Sequence, residues 1–320
     1  MRRITAAALT LFAGTLAVAA QDWPSGPVKL VVPFAAGATP DIVARLVANQ
    51  LHDTLHRTFI VENRPGASGN TGTNAVARAA PDGATIGVSI GGPLAINALL
   101  FPKLPYDPRK DLTLITLLVT QPSVLAVNAT LSVESTRALI DLVRRNPGKY
   151  AFGSIGAGSL SHLAMEAIAL KSGTQLIHVP YPSSPQAMTA LIRNDVQMVC
   201  LPAIAVMPQL GSGALKVLAV STAERSALLP NIPTLQEAGL DVEADAWNGL
   251  IAPAGISPAM AARIGQLVGE AIGADDVRAK LAAQLMAPIP GTPAEFRARI
   301  DADLTRWAPV IAAAKIKVND

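Results

Sequence analysis

The chain has 320 residues, half of them hydrophobic and only 15% charged, enough apolar material for two packed cores of ordinary domain size. Its 26 basic and 23 acidic residues give a formal charge of +3, or 24 against 23 once Arg2 and Arg3 are set aside with the N-terminal segment described next. That near-neutral balance, with 4% aromatic residues, excludes the charge footprint and the base-stacking platforms of a nucleic-acid binder.

The chain opens on the basic Met1-Arg2-Arg3, and residues 4–20 are apolar or small throughout, ending in Ala17-Val18-Ala19-Ala20 before Gln21. This is the pattern of a secretory signal peptide, so residues 1–20 are read as a cleaved leader of an exported protein. No Cys follows the run, so lipid attachment is not expected. Cys200, the one cysteine, allows no intrachain disulfide and lies in an apolar run, where an inert buried thiol is expected. The four histidines are scattered. His52 and His56 at i, i+4 lack a third ligand, so no metal and no cofactor are expected.

Short β-rich runs then alternate with helical patterns, the signature of parallel sheets in an α/β fold. Strands are predicted at 28–32, 59–61 and 85–90, with helices at 41–51 and 74–80 between them. The Gly-rich turn Arg64-Pro65-Gly66-Ala67-Ser68-Gly69 separates the second strand from its helix. A second series begins after Pro122: strands at 124–127, 150–153, 176–179, 196–201 and 216–220, with helices at 136–145 and 160–170. After a strand at 247–252 only two long helical patterns remain, 258–285 and 293–314. Terminal helices without a sheet of their own must pack on one built earlier. The expected organisation is therefore a two-lobed fold with two chain crossings, residues 21–123 and 246–320 forming one lobe and 124–245 the other.

Two loops stand where a strand hands over to a helix. In Pro33-Phe34-Ala35-Ala36-Gly37-Ala38-Thr39-Pro40-Asp41, Thr39 is a good N-cap and Pro40 suits the first helical turn. Small side chains let an anion approach free backbone N–H groups at the positive end of the helix dipole. Asp41 counts among the site candidates, but capping or pairing with Arg45 at i, i+4 suits a carboxylate there better than contact with an anion. The second loop, Phe152-Gly153-Ser154-Ile155-Gly156-Ala157-Gly158-Ser159-Leu160-Ser161-His162, repeats the arrangement in the other half. One such loop per lobe places two N-termini at the carboxyl ends of their strands, where one ligand can meet both. Gly156-x-Gly158-x-x-Ser161 fails the dinucleotide pattern at its third glycine, and no P-loop lysine is present. Ser159 and His162 have neither a nucleophile elbow nor an orienting acid, so no enzyme activity is expected.

Read together, these segments resemble the Bug/TctC-type solute receptors of tripartite tricarboxylate transporters over the whole chain beyond residue 20. The marks include Pro33-Phe34…Gly37…Asp41…Ala44-Arg45, Val61-Glu62-Asn63-Arg64-Pro65-Gly66, Pro81-Asp82-Gly83 and Leu104-Pro105-Tyr106-Asp107. The second half adds Gly156-x-Gly158-Ser159-x-x-His162-Leu163, His178-Val179-Pro180-Tyr181, Ile232-Pro233-Thr234 and Ala252-Pro253-Ala254-Gly255. The resemblance implies a monomeric periplasmic receptor of Venus-flytrap type, each lobe a mainly parallel sheet flanked by helices. It would capture a small organic carboxylate and deliver it to a membrane permease, or use the same closure to signal to a membrane partner. It further implies a carboxylate cradle at Phe34, Gly37, Ala38 and Thr39 and a first-lobe contact at Ser89. Ser154, Gly158, Ser159, His162 and Tyr181 would face them from the second lobe. Two departures stand out. Ala38 replaces the second glycine of the family's pair, and since a left-handed alanine costs about 1–3 kcal/mol, φ below zero is expected there. Cys200-Leu201-Pro202 replaces an aromatic residue followed by Asp-Asn, which implies a preference for acids without an amine.

Overall fold

A computed structural model describes residues 23–318, so the expected leader at 1–20 lies outside the described residues. The first stretch runs β1 (Val28–Val32), α1 (Thr39–Leu55), β2 (Phe59–Asn63), α2 (Asn70–Ala77), β3 (Thr85–Ile90), α3 (Asn97–Leu100) and β4 (Leu112–Gln121). Pro122 then carries the chain into β5 (Ser123–Asn128), α4 (Thr136–Arg144), β6 (Ala151–Ser154), α5 (Leu160–Ser172) and β7 (Ile177–Pro180). After these come α6 (Ser184–Ile192), β8 (Met198–Pro202), α7 (Ala203–Val206) and β9 (Leu215–Val220). The last stretch is β10 (Ala246–Pro253), α8 (Pro258–Gly273), α9 (Asp275–Ala283), β11 (Ala287–Pro288) and α10 (Pro293–Ala314).

Two sheets result, ordered β11-β4-β10-β3-β1-β2 and β7-β6-β8-β5-β9. In the first, β1 pairs parallel with β2 and β3, while β10 runs antiparallel between β3 and β4. In the second, β6 pairs parallel with β7 and β8, and β5 is antiparallel to both its neighbours. Antiparallel β5 and β10 are the strands by which the chain enters each sheet from the other one. Both faces of each sheet are covered, which is why the strands read as unbroken apolar runs. Val28, Leu30 and Val32 pack with Val43 and Val47 of α1 and Val268 of α8, whereas Val31, Trp247 and Ile251 meet Phe296 and Ile300 of α10. In the second lobe Leu125 and Val127 pack under α4 and α5, and Val124 and Ala126 under α6 and α7.

Several features depart from the sequence reading. The strand β4 and the helix α6 were not expected. The predicted helix at 258–285 breaks in two at Ala274, whose extended backbone (φ −62, ψ 141) ends α8 and caps α9. Another concerns α10, which does not stay on the first sheet. Its first half meets β4 and β10, but Trp307, Val310 and Ile311 sit in the core under α5, beside Ile96 and Leu100. Packing on this helix thus adds a third tie between the lobes to the two chain crossings. Among the described residues no helix is long and apolar enough to cross a membrane.

Candidate functional site

At the end of β1 the turn is made by Gly37 at φ +83, a backbone that glycine adopts freely. The helix cap is Ala38, one residue earlier than expected, at φ −70 and ψ 156; Thr39 opens the helix and no side chain caps it. Negative φ at Ala38 explains how alanine replaces glycine there without strain. Asp41 is 2% exposed and faces backwards. Its Oδ2 accepts from the Gly37 N–H (2.9 Å) and from Arg45 Nε (3.0 Å), and its Oδ1 from Asn63 Nδ2 (2.9 Å). Burial pushes its carboxyl up, but the bonds from Arg45, Gly37 and Asn63 outweigh it and hold the pKa below the usual value. Asp41 therefore clamps the loop from behind, and in doing so takes the Gly37 amide out of reach of any ligand. Among the described residues the amides of Ala35, Ala36 and Thr39 have no protein acceptor. The Thr39 hydroxyl donates to Gln121 Oε1 (3.3 Å).

The second loop is closed in the same way. Ser159 caps α5, its Oγ accepting from the His162 N–H and donating to the Gly156 carbonyl (2.7 Å). Ser161 Oγ accepts from the Ile155 N–H (3.0 Å), and Ser154 Oγ pairs with His178 Nε2 (2.7 Å). His162 Nδ1 accepts from the Gly158 N–H (3.0 Å), which assigns the imidazole proton to Nε2, 3.5 Å from Glu166 Oε1. With its hydroxyl donated to a carbonyl and that lone pair in use, Ser159 and His162 form no nucleophile and base pair. His162 and His178 stack with ring centroids 3.7 Å apart, and burial, then His162, pulls the His178 pKa down to about 4.

Both loops open on one cavity of about 600 Å³ between the sheets. Of the residues expected there, Phe34, Ala38, Thr39, Gly158 and Ser159 line it. Gly37, Asp41, Ser89, Ser154, His162 and Tyr181 do not. Ser89 is 1% exposed and bonded to Thr73 Oγ1 (3.2 Å). Ser154 and His162 are buttresses beneath the loop. Tyr181 packs against Gly153 and leaves the cavity wall to Pro182. Cys200 and Leu201 are fully buried and only Pro202 reaches the cavity, so the replaced positions do not all face a ligand and the argument for amine-free acids loses its footing. Burial pushes the Cys200 thiol up to about 12, as befits an inert core residue.

The walls that sequence reasoning missed come from distant segments. Ser68 lies in a turn where both Ala67 (φ 46) and Ser68 (φ 54) are left-handed, strain of a kind that gathers at ligand sites. The Gly-rich letters around it were the available signal. Gln121, Asn248, Asp245 and Asp303 also line the cavity, brought there only by the two crossings and by α10. Among the described residues no Lys, Arg or His lines it. Asp303 belongs to a buried ionic cluster: Trp247 Nε1 donates to its Oδ2 (2.8 Å) and Arg306 Nη1 to its Oδ1 (3.0 Å). Arg299 bonds Asp245 (2.5 Å) and Glu243 (3.2 Å), and Arg306 also bonds Glu243 (2.7 Å). Burial pushes the Asp303 carboxyl up against the pull of Arg299, the Trp247 bond and Arg306. A second hollow of about 500 Å³ on the first lobe shares only Phe101 with the cavity and lacks its loop donors. No group of three metal-ligating side chains occurs among the described residues; His52 bonds the Arg57 carbonyl (2.7 Å), and His56 ends α1 in a left-handed turn.

Comparison with known proteins bears directly on this architecture. Protein BugT of Bordetella pertussis is 34% identical over 94% of this chain and 93% of its own length. The solved structure of R. palustris Rpa4515 with adipate superposes with a TM-score of 0.81 at 32% identity, covering 92% of this chain and 99% of that one. MatC of Rhodopseudomonas palustris with bound malate gives a TM-score of 0.75 at 30% identity, covering 90% and 100%. The sequence model of the tripartite tricarboxylate transporter family receptor, TctC, matches residues 43–316, and the chain belongs to that family.

Proposed function

We propose that this protein is a periplasmic receptor that captures a small organic carboxylate between its lobes and delivers it to the membrane permease of a tripartite transporter. The lobes are taken as 21–123 with 246–320, and 124–245, the end of α10 reaching across to the second. One observation carries the reading: the N-termini of α1 and α5, from different sheets, open on the same cavity. Amide and hydroxyl donors desolvate at low cost and suit a carboxylate, and helix N-termini favour its charge. Phe34, Ala38, Thr39, Gly158 and Ser159 are proposed as ligand contacts, with Ser68 and Gln121 added to them. The relatives with adipate and with bound malate support the substrate class. The bonding of Ser159 and His162 supports a binding protein rather than an enzyme.

The test is a thermal-shift screen of the chain from residue 21 onward, refolded to strip ligand, against aliphatic, aromatic and amino-acid carboxylates, sugars and nucleotides. A ligand at 100 times its Kd adds about 2.7 kcal/mol and moves the midpoint by several degrees. A shift confined to carboxylates supports the reading. A shift confined to sugars or nucleotides overturns it.

A further inference from the structure

We propose that the ligand carries a single carboxylate, and that its opposite end is a hydrogen-bond donor without negative charge, received by Asp303. This rests on the carboxylate reading above and narrows it. The cavity has amide and hydroxyl donors at its loops, and the carboxylates of Asp245 and Asp303 in the wall that β10 and α10 bring to it. Asp303 is 4% exposed and lines the wall. Each of its oxygens accepts one protein bond, from Trp247 Nε1 and from Arg306 Nη1, and a carboxylate oxygen can accept two. The neighbouring wall residue Gly91 leaves Oδ2 open, since a β-carbon there would sit 3.2 Å from it. Asn248, 1% exposed and also in the wall, has a buried Oδ1 with no partner among the described residues. Its amide can turn over to present either group, whereas an ionised Asp303 only accepts.

Charge points the same way. Glu243, Asp245 and Asp303 face Arg299 and Arg306, three negative groups against two positive, leaving one negative charge over. Asp245 and Asp303 line the cavity, and among the described residues no basic side chain does. A second ligand carboxylate at this end would meet like charge, with no basic side chain of the wall to neutralise it. A hydroxyl or an ammonium there completes the acceptors instead. The receptor would in this respect differ from the relatives whose structures hold adipate and malate.

Titration calorimetry on the ligand-stripped protein at pH 7.5 decides it with matched acids: hexanoate, 6-hydroxyhexanoate, 6-aminohexanoate and adipate, and the same series at four and eight carbons. The hydroxy or amino acid of the fitting length is expected to bind at least tenfold tighter than the dicarboxylate and the plain acid of that length. Asp303→Asn should narrow the gap to the dicarboxylate below threefold. Gly91→Ala, which crowds Oδ2 and the Trp247 indole beside it but removes neither arginine, should weaken the hydroxy or amino acid while sparing the plain acid. A dicarboxylate that binds as tightly as its hydroxy or amino counterpart overturns the inference and leaves the carboxylate reading standing. Silence of the whole series while another carboxylate binds has the same meaning. If 1,6-hexanediol equals 6-hydroxyhexanoate, the carboxylate reading itself falls. Should Asp303→Asn fail to fold, the wild-type series still decides.

Discussion

His162 and His178 lie face to face beneath the second-lobe loop, and His178 resists protonation. The His162 Nδ1 lone pair holds the Gly158 N–H, while His178 is pulled down to about 4 from an ordinary value of 6.5. A histidine whose folded pKa is depressed gives stability that is present in full above its unfolded pKa. Between pH 6.5 and 4 the unfolded chain binds a proton that the folded chain refuses, so stability falls as the pH falls through that window. The size is up to about 3 kcal/mol. Urea midpoints of wild type and His178→Asn at pH 7 and pH 4.5 check this: the wild type should lose more on acidification, and equal losses would contradict it. Asp41 acts lower, its depressed carboxyl giving stability that is present above 3.8 and lost below it. The loops were legible in sequence because Gly37, Ala38 and Ser159 act through local backbone geometry. Asn248 and Asp303 were not, since they come into the wall from β10 and α10, and only the folded topology brings those segments to the loops.

Among the elements, β10 and α10 carry that distant wall, and their contact turns on one missing side chain. Gly249 lies under the ring of Phe296, where a β-carbon would approach to 2.1 Å. The residues on either side, Asn248 and Leu250, are buried, so the strand cannot slide away. Overpacking of this kind costs typically 1–3 kcal/mol. Gly249→Ala is expected to destabilise the protein by about 3 kcal/mol, and Phe296→Leu in the same chain should restore part of it, as thermal melts of the two variants would show. A Gly249→Ala protein as stable as wild type would mean that β10 and α10 do not pack this tightly. The strand β4 escaped sequence reading for a related reason. Pro122 alone separates it from β5, and the sequence reading takes that proline as the start of the second series, with no strand immediately before it. At Ala274 a signal was present in Gly273 and the acidic pair Asp275-Asp276, a helix stop beside a helix start. The helix α6 likewise opens on Ser183-Ser184-Pro185, with Pro in its first turn.

For the molecule as a whole, what matters is how the lobes meet over the cavity. At φ +74, Gly158 presents its Cα to the first lobe: a β-carbon there would come within 2.6 Å of Leu100 Cδ1 and 3.1 Å of Val318 Cγ1. Leu100 ends α3 and packs in the core under α5, and Val318 follows α10, so this one residue meets two segments that reach the second lobe from outside its sheet. Gly158→Ala should therefore burden the closed arrangement in two separable ways. The left-handed alanine costs about 1–3 kcal/mol wherever the lobes stand. The clash with Leu100 arises only where α3 packs against the second-lobe loop, and a ligand that needs that packed state loses affinity in proportion to its population. Calorimetry with whichever carboxylate the screen identifies should show at least tenfold weaker binding by Gly158→Ala. Adding Leu100→Ala removes the clash and leaves the strain, so the double variant should recover affinity over Gly158→Ala without recovering its stability. If the second substitution restores nothing, backbone strain accounts for the whole loss and closure against Leu100 plays no part in binding. Recovery in affinity alone would identify the contact between Gly158 and Leu100 as the point where lobe closure is coupled to ligand capture.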